Sequence, residues 1–459
     1  MSYLLTSRSI AVISETFNPH QVGGRVLLNL QKSKYQGRVY PVTSEFEEIF
    51  GMKTFPNLNS IPEEVITVVI TLPPKSVLPI LEECVEKKVK FIMIPSTDVI
   101  ESEDEKFAFE QLLKTFTEET DIRILGPDCS GVFNIVKSIG ISGVADYEPN
   151  WLQNGKISLI TQGEGLGRAV LDANDLGIGF NYWISTGNEV DLETADFIQY
   201  FSHDVSTQVI LVIIEKLKDK WKFQKAVETA RRFGKPLIVL HIGQVEEEIS
   251  TKEELNNNKQ VHSDFFKELD IIQVYDLDEL LNVGWLFYKY GHPQGNRIGI
   301  FSYSNGVSAL LAEKCRQANL PVPDITDETK SIIQDFFPNI ETPTNPINMK
   351  IYVYQDMSDV SECLEQFTND PNVDIVFVLY SYKLGIYTEM LVRHIIKLAQ
   401  RVNKPIIPLW LSLSGELEVS YEILKESGLP FYSSANAGVS AIKHFTDYHM
   451  KMNRLNTLM

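Results

Sequence analysis

Three stretches of this chain combine glycine with hydroxyl and amide side chains in the pattern of a turn between a strand and a helix. They are Ser14-Glu15-Thr16-Phe17-Asn18-Pro19 with Val22-Gly23-Gly24, then Thr161-Gln162-Gly163-Glu164-Gly165-Leu166-Gly167, then Ser302-Tyr303-Ser304-Asn305-Gly306. Glycine lets backbone approach a ligand, and the helix that follows aims free N–H groups and its positive dipole end at it. Such a turn suits phosphate or another anion, although it also serves simply to join a strand to a helix. Glu215 closes the β-branched run Val209-Ile210-Leu211-Val212-Ile213-Ile214. A carboxylate there could fix the tautomer of a histidine and support its cationic form. Cys84, Cys129, Cys315 and Cys363 are far apart and form no CxxC pair. They read as reduced structural thiols, with neither a disulfide framework nor a metal site expected. Asp128-Cys129 could suggest a nucleophilic thiol, but a small buried hydrophobe is the simpler reading.

Composition bounds what these residues can serve. A chain of 459 residues is too long for one core and favours about three domains. Its 44% hydrophobic and 22% charged content is that of a soluble globular protein. The net charge of -19 excludes a general nucleic-acid binder, so an anionic ligand needs a local site. Residues 1–8 lack the pattern of a leader, and no later segment approaches the roughly 18 apolar residues of a membrane span. A cytoplasmic protein is expected.

The elements that must position the three turns follow from hydrophobic patterning. Short β-branched runs alternate with longer amphipathic stretches, which implies βαβ units and parallel sheets. The first group has strands near 9–13, 37–42, 65–72, 91–95 and 122–125, giving a Rossmann-like domain over residues 1–148. After a linker at 149–155, a second domain over 149–292 has strands near 156–160, 179–184, 209–214, 237–240 and 271–274, then a helix from Asp278 to Tyr290. Gly291-His292-Pro293-Gln294-Gly295 marks the next break. The third domain, 293–459, has strands near 297–302, 374–380, 405–411 and 430–432. The last two domains open alike, which suggests two flavodoxin-like parallel-sheet units. The fold class is α/β.

In order along its length, the chain resembles the α subunit of the NDP-forming acyl-CoA synthetases, within the succinyl-CoA synthetase α-like superfamily. The resemblance rests on Arg123-Ile124-Leu125-Gly126-Pro127-Asp128-Cys129-Ser130-Gly131, on residues 155–167, and on Gly177-Ile178-Gly179-Phe180 with Ser185-Thr186-Gly187-Asn188. Gly234-Lys235-Pro236 and Asn345-Pro346-Ile347-Asn348 add to it. It implies a coenzyme A site built from Ser14, Thr16, Val22, Gly23, Val42, Pro73, Lys75, Gly126, Pro127 and Asp128. It implies a phosphate and acyl site at Thr161, Gln162, Gly163, Gly165, Gly187 and Asn188, with Glu215 as the orienting, or vestigial, carboxylate. In the family, an acyl-CoA thioester is exchanged with phosphate, the acyl phosphate phosphorylates a loop histidine, and that loop swings to an ATP-grasp partner domain.

Four departures bear on function. The family's loop histidine falls at Glu253-Glu254-Leu255-Asn256-Asn257, and residues 246–260 contain no histidine. His241 ends a strand and His262 begins a helix, so neither takes its place. Glu164 puts a carboxylate in the phosphate turn, where it would repel phosphate if turned inward and serve as a first-turn charge if turned outward. Ser14-Glu15-Thr16 and Tyr303-Ser304-Asn305-Gly306 replace glycine-richer turns. A CoA or acyl-CoA-binding or assembly subunit, without phosphohistidine ligase activity, is therefore expected. An enzyme moving an acyl or carbamoyl group to or from phosphate or CoA is the alternative, and a working α subunit of an ADP-forming ligase the third reading. The resemblance implies an oligomer with an ATP-grasp β subunit or another protein partner, a CoA thioester as ligand, and no metal.

Overall fold

The computed structural model describes all residues except 96–101, 146–151, 243–264, 339, 341, 350–356, 381–384, 412–418 and 459, and side chains as far as residue 454. They fall into two compact units, residues 1–174 with 179–275 and residues 175–178 with 276–459. Among the described residues no helix is long and apolar enough to cross a membrane.

The first unit holds two large sheets and a two-stranded antiparallel ribbon, Glu48–Ile49 with Met52–Lys53. Strands β1 (Ser9–Ser14), β2 (Arg38–Val42), β3 (Thr67–Thr71), β4 (Phe91–Met93) and β5 (Arg123–Leu125) run parallel in the order β2-β1-β3-β4-β5. All six residues of β1 are buried, as a strand covered on both faces requires. Alternate side chains part to opposite faces. Ile10 and Val12 pack with Val26, Leu27 and Leu30 of helix α1 (Val22–Lys32). Ala11 and Ile13 join Val77 and Leu81 of α2 (Val77–Glu86) and Phe109 and Leu113 of α3 (Glu103–Glu119). Helix α3 starts at Ser102, whose side chain accepts from the Glu105 amide at 3.2 Å, with Glu103, Asp104 and Glu105 in its first turn.

The second sheet begins with a hairpin absent from the strand pattern read in the sequence. β6 (Gly131–Asn134) and β7 (Ile139–Ser142) pair antiparallel, and β6 continues antiparallel onto β9. Four-residue strands buried along their whole length carry no alternation, so periodicity does not reveal them. β8 (Asn154–Thr161), β9 (Phe180–Ser185), β10 (Val209–Ile214), β11 (Leu237–His241) and β12 (Ile272–Val274) are parallel, and the full order is β12-β11-β10-β8-β9-β6-β7. Helices α4 (Gly165–Leu171), α5 (Thr194–His203) and α6 (Lys220–Arg232) cover it. The hairpin is tied to the first sheet's elements: Asn29 Nδ2 on α1 donates to the carbonyls of Ser142 (2.8 Å) and Val144 (2.9 Å), and Asn134 Nδ2 to that of Leu5 (2.8 Å).

The second unit opens with α7 (Leu277–Lys289), which packs Phe287 against Phe445 of the helix Ala435–Leu458. β13 (Ile298–Ser302), β14 (Ile347–Asn348), β15 (Ile375–Tyr380) and β16 (Ile406–Trp410) form a parallel sheet in the order β14-β13-β15-β16. The strand expected at Pro430-Phe431-Tyr432 is reduced to one bridge between Leu409 and Tyr432. The architecture is thus α/β, its three main sheets parallel apart from the antiparallel hairpin β6–β7. From β1, β8 and β13 the chain goes first to one side and then to the other, which leaves crevices at the carboxyl ends of β1 and β3, β8 and β10, and β13 and β15.

Candidate functional site

The crevice of the second sheet lies between the ends of β8 and β10. Gln162, only 7% exposed, follows β8 and joins the two turns. Its Oε1 accepts from the amides of Glu215 (2.6 Å) and Lys216 (2.8 Å), and its Nε2 donates to the Lys216 carbonyl (2.7 Å). This bracket fixes the path by which the chain leaves β10. Gly163 leaves room for the Glu215 carboxylate, whose Oε1 would stand 3.0 Å from a Cβ there.

β9 supplies the facing turn. The Gln162 carbonyl accepts from the Gly187 amide at 3.0 Å and from Ser185 Oγ at 3.1 Å. Gly187 has a φ of +65°, and a Cβ on it would lie 2.2 Å from the Pro127 carbonyl, so no other residue fits. Asn188 then reaches across. Its amide donates to the Pro127 carbonyl at 2.8 Å, and its Nδ2 donates to Asp128 Oδ2 (2.9 Å) and Glu110 Oε1 (3.0 Å). Beneath the turn the buried Glu189 accepts from Thr186 Oγ1 (2.7 Å), Thr194 N (2.9 Å) and Thr194 Oγ1 (2.6 Å), bonds that offset its desolvation.

The turns enclose a cavity of about 370 Å³. Gln162, Gly163, Gly187, Asn188 and Glu215, which the resemblance assigns to a phosphate and acyl site, line it, and so does Asp128, which the resemblance assigns to the CoA site. Thr161 and Gly165 do not. Thr161 is buried with its Oγ1 accepting from Trp183 Nε1 at 3.1 Å, and Gly165 is exposed at the start of α4. Glu164 is exposed and does not line the cavity, so its carboxylate does not occupy the site.

Sequence reasoning missed the opposite wall. Glu103, Lys106, Phe107 and Glu110 of α3 line the cavity, as do Lys216 and Lys218. Among the described residues Lys106, Lys216 and Lys218 have no ion-pair partner. Spacings of three and four residues put Glu103, Lys106, Phe107 and Glu110 on one helical face, but spacing does not say where that face looks. Unpaired ammonium groups beside a glycine turn can hold phosphate or a carboxylate, while Glu215 can accept a proton or steady a cation.

The residues expected to hold CoA gather along the carboxyl edge of the first sheet. Ser14 ends β1 and Thr16 follows it, Val22 and Gly23 open α1, Val42 ends β2, Pro73 and Lys75 follow β3, and Gly126 and Pro127 follow β5. Ser14 Oγ closes the first turn by donating to the Thr16 carbonyl (2.6 Å) and accepting from its amide (3.2 Å). Thr71 Oγ1 donates to the Ile13 carbonyl at 3.2 Å and ties β3 to β1 at the crevice. Lys75 is exposed.

His241 ends β11 in register with Ile214, its ring edge-on to Phe266 at 5.3 Å. The expected loop at 246–260 and His262 lie outside the described residues. All four cysteines are buried and free of disulfides. Burial, and then the charge of Asp128, push the Cys129 thiol up to about 12, which keeps it protonated and fits a packing role. In the second unit the Ser302–Ser304 turn is closed by Ser302 Oγ, which accepts from Ser304 N at 3.0 Å. Among the described residues no cluster of three or more His, Cys, Asp or Glu could hold a metal.

Doubly wound sheets with glycine turns at their crevices define a class of proteins that bind small anionic ligands. Comparison with known proteins narrows this. The CoA binding domain family matches residues 8–134, and the succinyl-CoA ligase like flavodoxin domain family matches residues 154–287. The α subunit of acetate–CoA ligase [ADP-forming] II from Pyrococcus furiosus is 28% identical over 445 residues, 94% of either chain. Acetate–CoA ligase [ADP-forming] from Methanocaldococcus jannaschii is 28% identical over 76% of this chain, which spans about half (49%) of that enzyme's length. Among solved structures, dinucleotide forming acetyl-coenzyme A synthetase 1 from Ca. Korarchaeum cryptofilum shares the fold with a TM-score of 0.87 at 19% identity, covering 100% of this chain and 98% of that one. Residues 8–134 thus match a CoA binding domain and residues 154–287 a succinyl-CoA ligase like flavodoxin domain, and over most of its length the chain is similar to α subunits of ADP-forming acetate–CoA ligases.

Proposed function

We propose that this protein binds a CoA thioester along the carboxyl edge of its first sheet, directs the acyl end into the cavity at Gln162 and Asn188, and takes no part in phosphohistidine transfer. One combination carries the reading: a complete strand–turn–helix cradle, bracketed by Gln162, in a chain whose residues 246–260 contain no imidazole. Glu215 then has no phosphorylated partner to orient and is a vestigial carboxylate. Ser14, Thr16, Val22, Gly23, Val42, Pro73, Lys75, Gly126, Pro127 and Asp128 make up the CoA edge. Such a protein serves in the cytoplasm as a binding or assembly subunit, in an oligomer with an ATP-grasp β subunit or another protein. The names of its relatives, acetate–CoA and 4-hydroxybutyrate–CoA ligases, support a short acyl group.

Lys106, Lys216 and Lys218 favour a second reading, in which an acyl or carbamoyl group is exchanged between CoA and phosphate without a phosphoenzyme. Calorimetric titration with CoA, acetyl-CoA and phosphate, followed by incubation with ATP and an ATP-grasp β subunit, separates the possibilities. CoA binding without protein-bound phosphate is the expected result. Acyl phosphate formed from acyl-CoA and phosphate, trapped as hydroxamate, would establish the second reading. Acid-labile phosphate on the chain would overturn both and restore a working ligase.

A further inference from the structure

With a formal charge of -19, the chain offers an anion few points of attraction. One lies at the amino edge of the first sheet. A cleft of about 750 Å³ is lined by Arg8, Arg38 and Lys137, with Glu64 as the carboxylate on its wall. Both arginines stand where β1 and β2 begin: the Arg38 amide donates to the Arg8 carbonyl at 2.9 Å, and Arg38 is opposite Ser9 in register. Tyr35 Oη donates to the Ser7 carbonyl at 2.7 Å and fastens the 35–38 turn over the start of β1. A Cβ on Gly37 would stand 2.0 Å from Tyr35 Oη and 2.7 Å from the Arg8 carbonyl, so a larger residue would force the turn away. Lys137 enters from the turn between β6 and β7.

These cations are little engaged within the protein. Among the described residues Arg8 and Lys137 have no ion-pair partner. Arg38 meets Glu63 at 3.7 Å with the two side chains 66% and 42% exposed, an arrangement that gains little in water.

We propose that this cleft is a second anion site, for a small molecule carrying two adjacent phosphates. Each guanidinium presents a planar fork that matches a phosphate, and the lysine adds a point charge for the remaining oxygens. The cleft is larger than a lone phosphate needs and suits a diphosphate with a further group attached. The six residues of β1 hold it roughly 20 Å from the carboxyl-edge turns. Its ligand is therefore bound apart from the thioester, as an effector.

The test is calorimetric titration of the full chain with pyrophosphate, ADP and citrate at low and at moderate salt. Pyrophosphate is expected to bind, more weakly as salt rises. An Arg8→Ala/Arg38→Ala variant, and separately Lys137→Glu, should each weaken it by about tenfold or more, the loss of one charge-assisted contact. All three side chains are exposed, and an unchanged circular dichroism spectrum confirms that the variants fold. ADP binding with the same dependence on the variants would assign a nucleoside diphosphate, and pyrophosphate binding alone a free diphosphate. Equal affinity for citrate, unchanged affinity in both variants, or no pyrophosphate binding would each overturn the proposal.

Discussion

His449 sits on the helix Ala435–Leu458, 6% exposed, with both ring nitrogens lacking a hydrogen-bond partner. Phe287, Phe445, Tyr448 and His292 surround it, the last ring 4.3 Å away. Burial first, and the neighbouring His292 second, bring its pKa down from 6.5 to about 4. The folded state therefore keeps this imidazole neutral while the unfolded chain takes up a proton near pH 6.5. The stabilisation is complete above that pH and is lost as pH falls from 6.5 toward about 4. Thermal unfolding of a His449→Leu variant should show a flatter dependence on pH across that window than the parent. Parallel curves for the two proteins would rule the mechanism out.

At the scale of elements, the Gln162 bracket is the joint on which the candidate cavity depends. One side chain satisfies two amides and one carbonyl where β10 gives way to its turn. Gln162→Ala would leave these groups unpaired and should cost about 2–4 kcal/mol, read by urea denaturation. Phosphate binding should weaken with it, because Glu215 and Lys216 lose their registered positions. An unaltered phosphate isotherm in a destabilised variant would show that the bracket is structural only. Gln162 and Gly163 were legible in the sequence because a strand-to-helix turn writes itself in glycine and polar residues, whereas Gly187 and Asn188 were reached only through the family resemblance. Lys106, Phe107 and Glu110 were not, since their part comes from how α3 packs over the first sheet, a long-range matter that helical spacing does not encode.

Across the whole molecule, the parallel sheets were legible because strands covered on both faces must be continuously apolar, as β1, β10 and β15 are. Sheet membership was less so. Residues 131–142 follow the last strand of the first sheet, yet they hydrogen-bond onto β9 of the second. Phe133 lies stacked on Trp183 at 5.0 Å, and Asn29 and Asn134 clasp the hairpin to α1 and to the segment before β1. A fragment ending at residue 145 would keep the clasp but strip β6 of its neighbour, leaving an open apolar edge. Light scattering should find that fragment self-associated and residues 1–275 monodisperse; a monomeric short fragment would contradict this.

A gene rearrangement that cut between the two sheets would have to carry the β6–β7 hairpin with one side and tear it from the other. Either side left without the other would keep a ribbon with half of its backbone and amide partners gone.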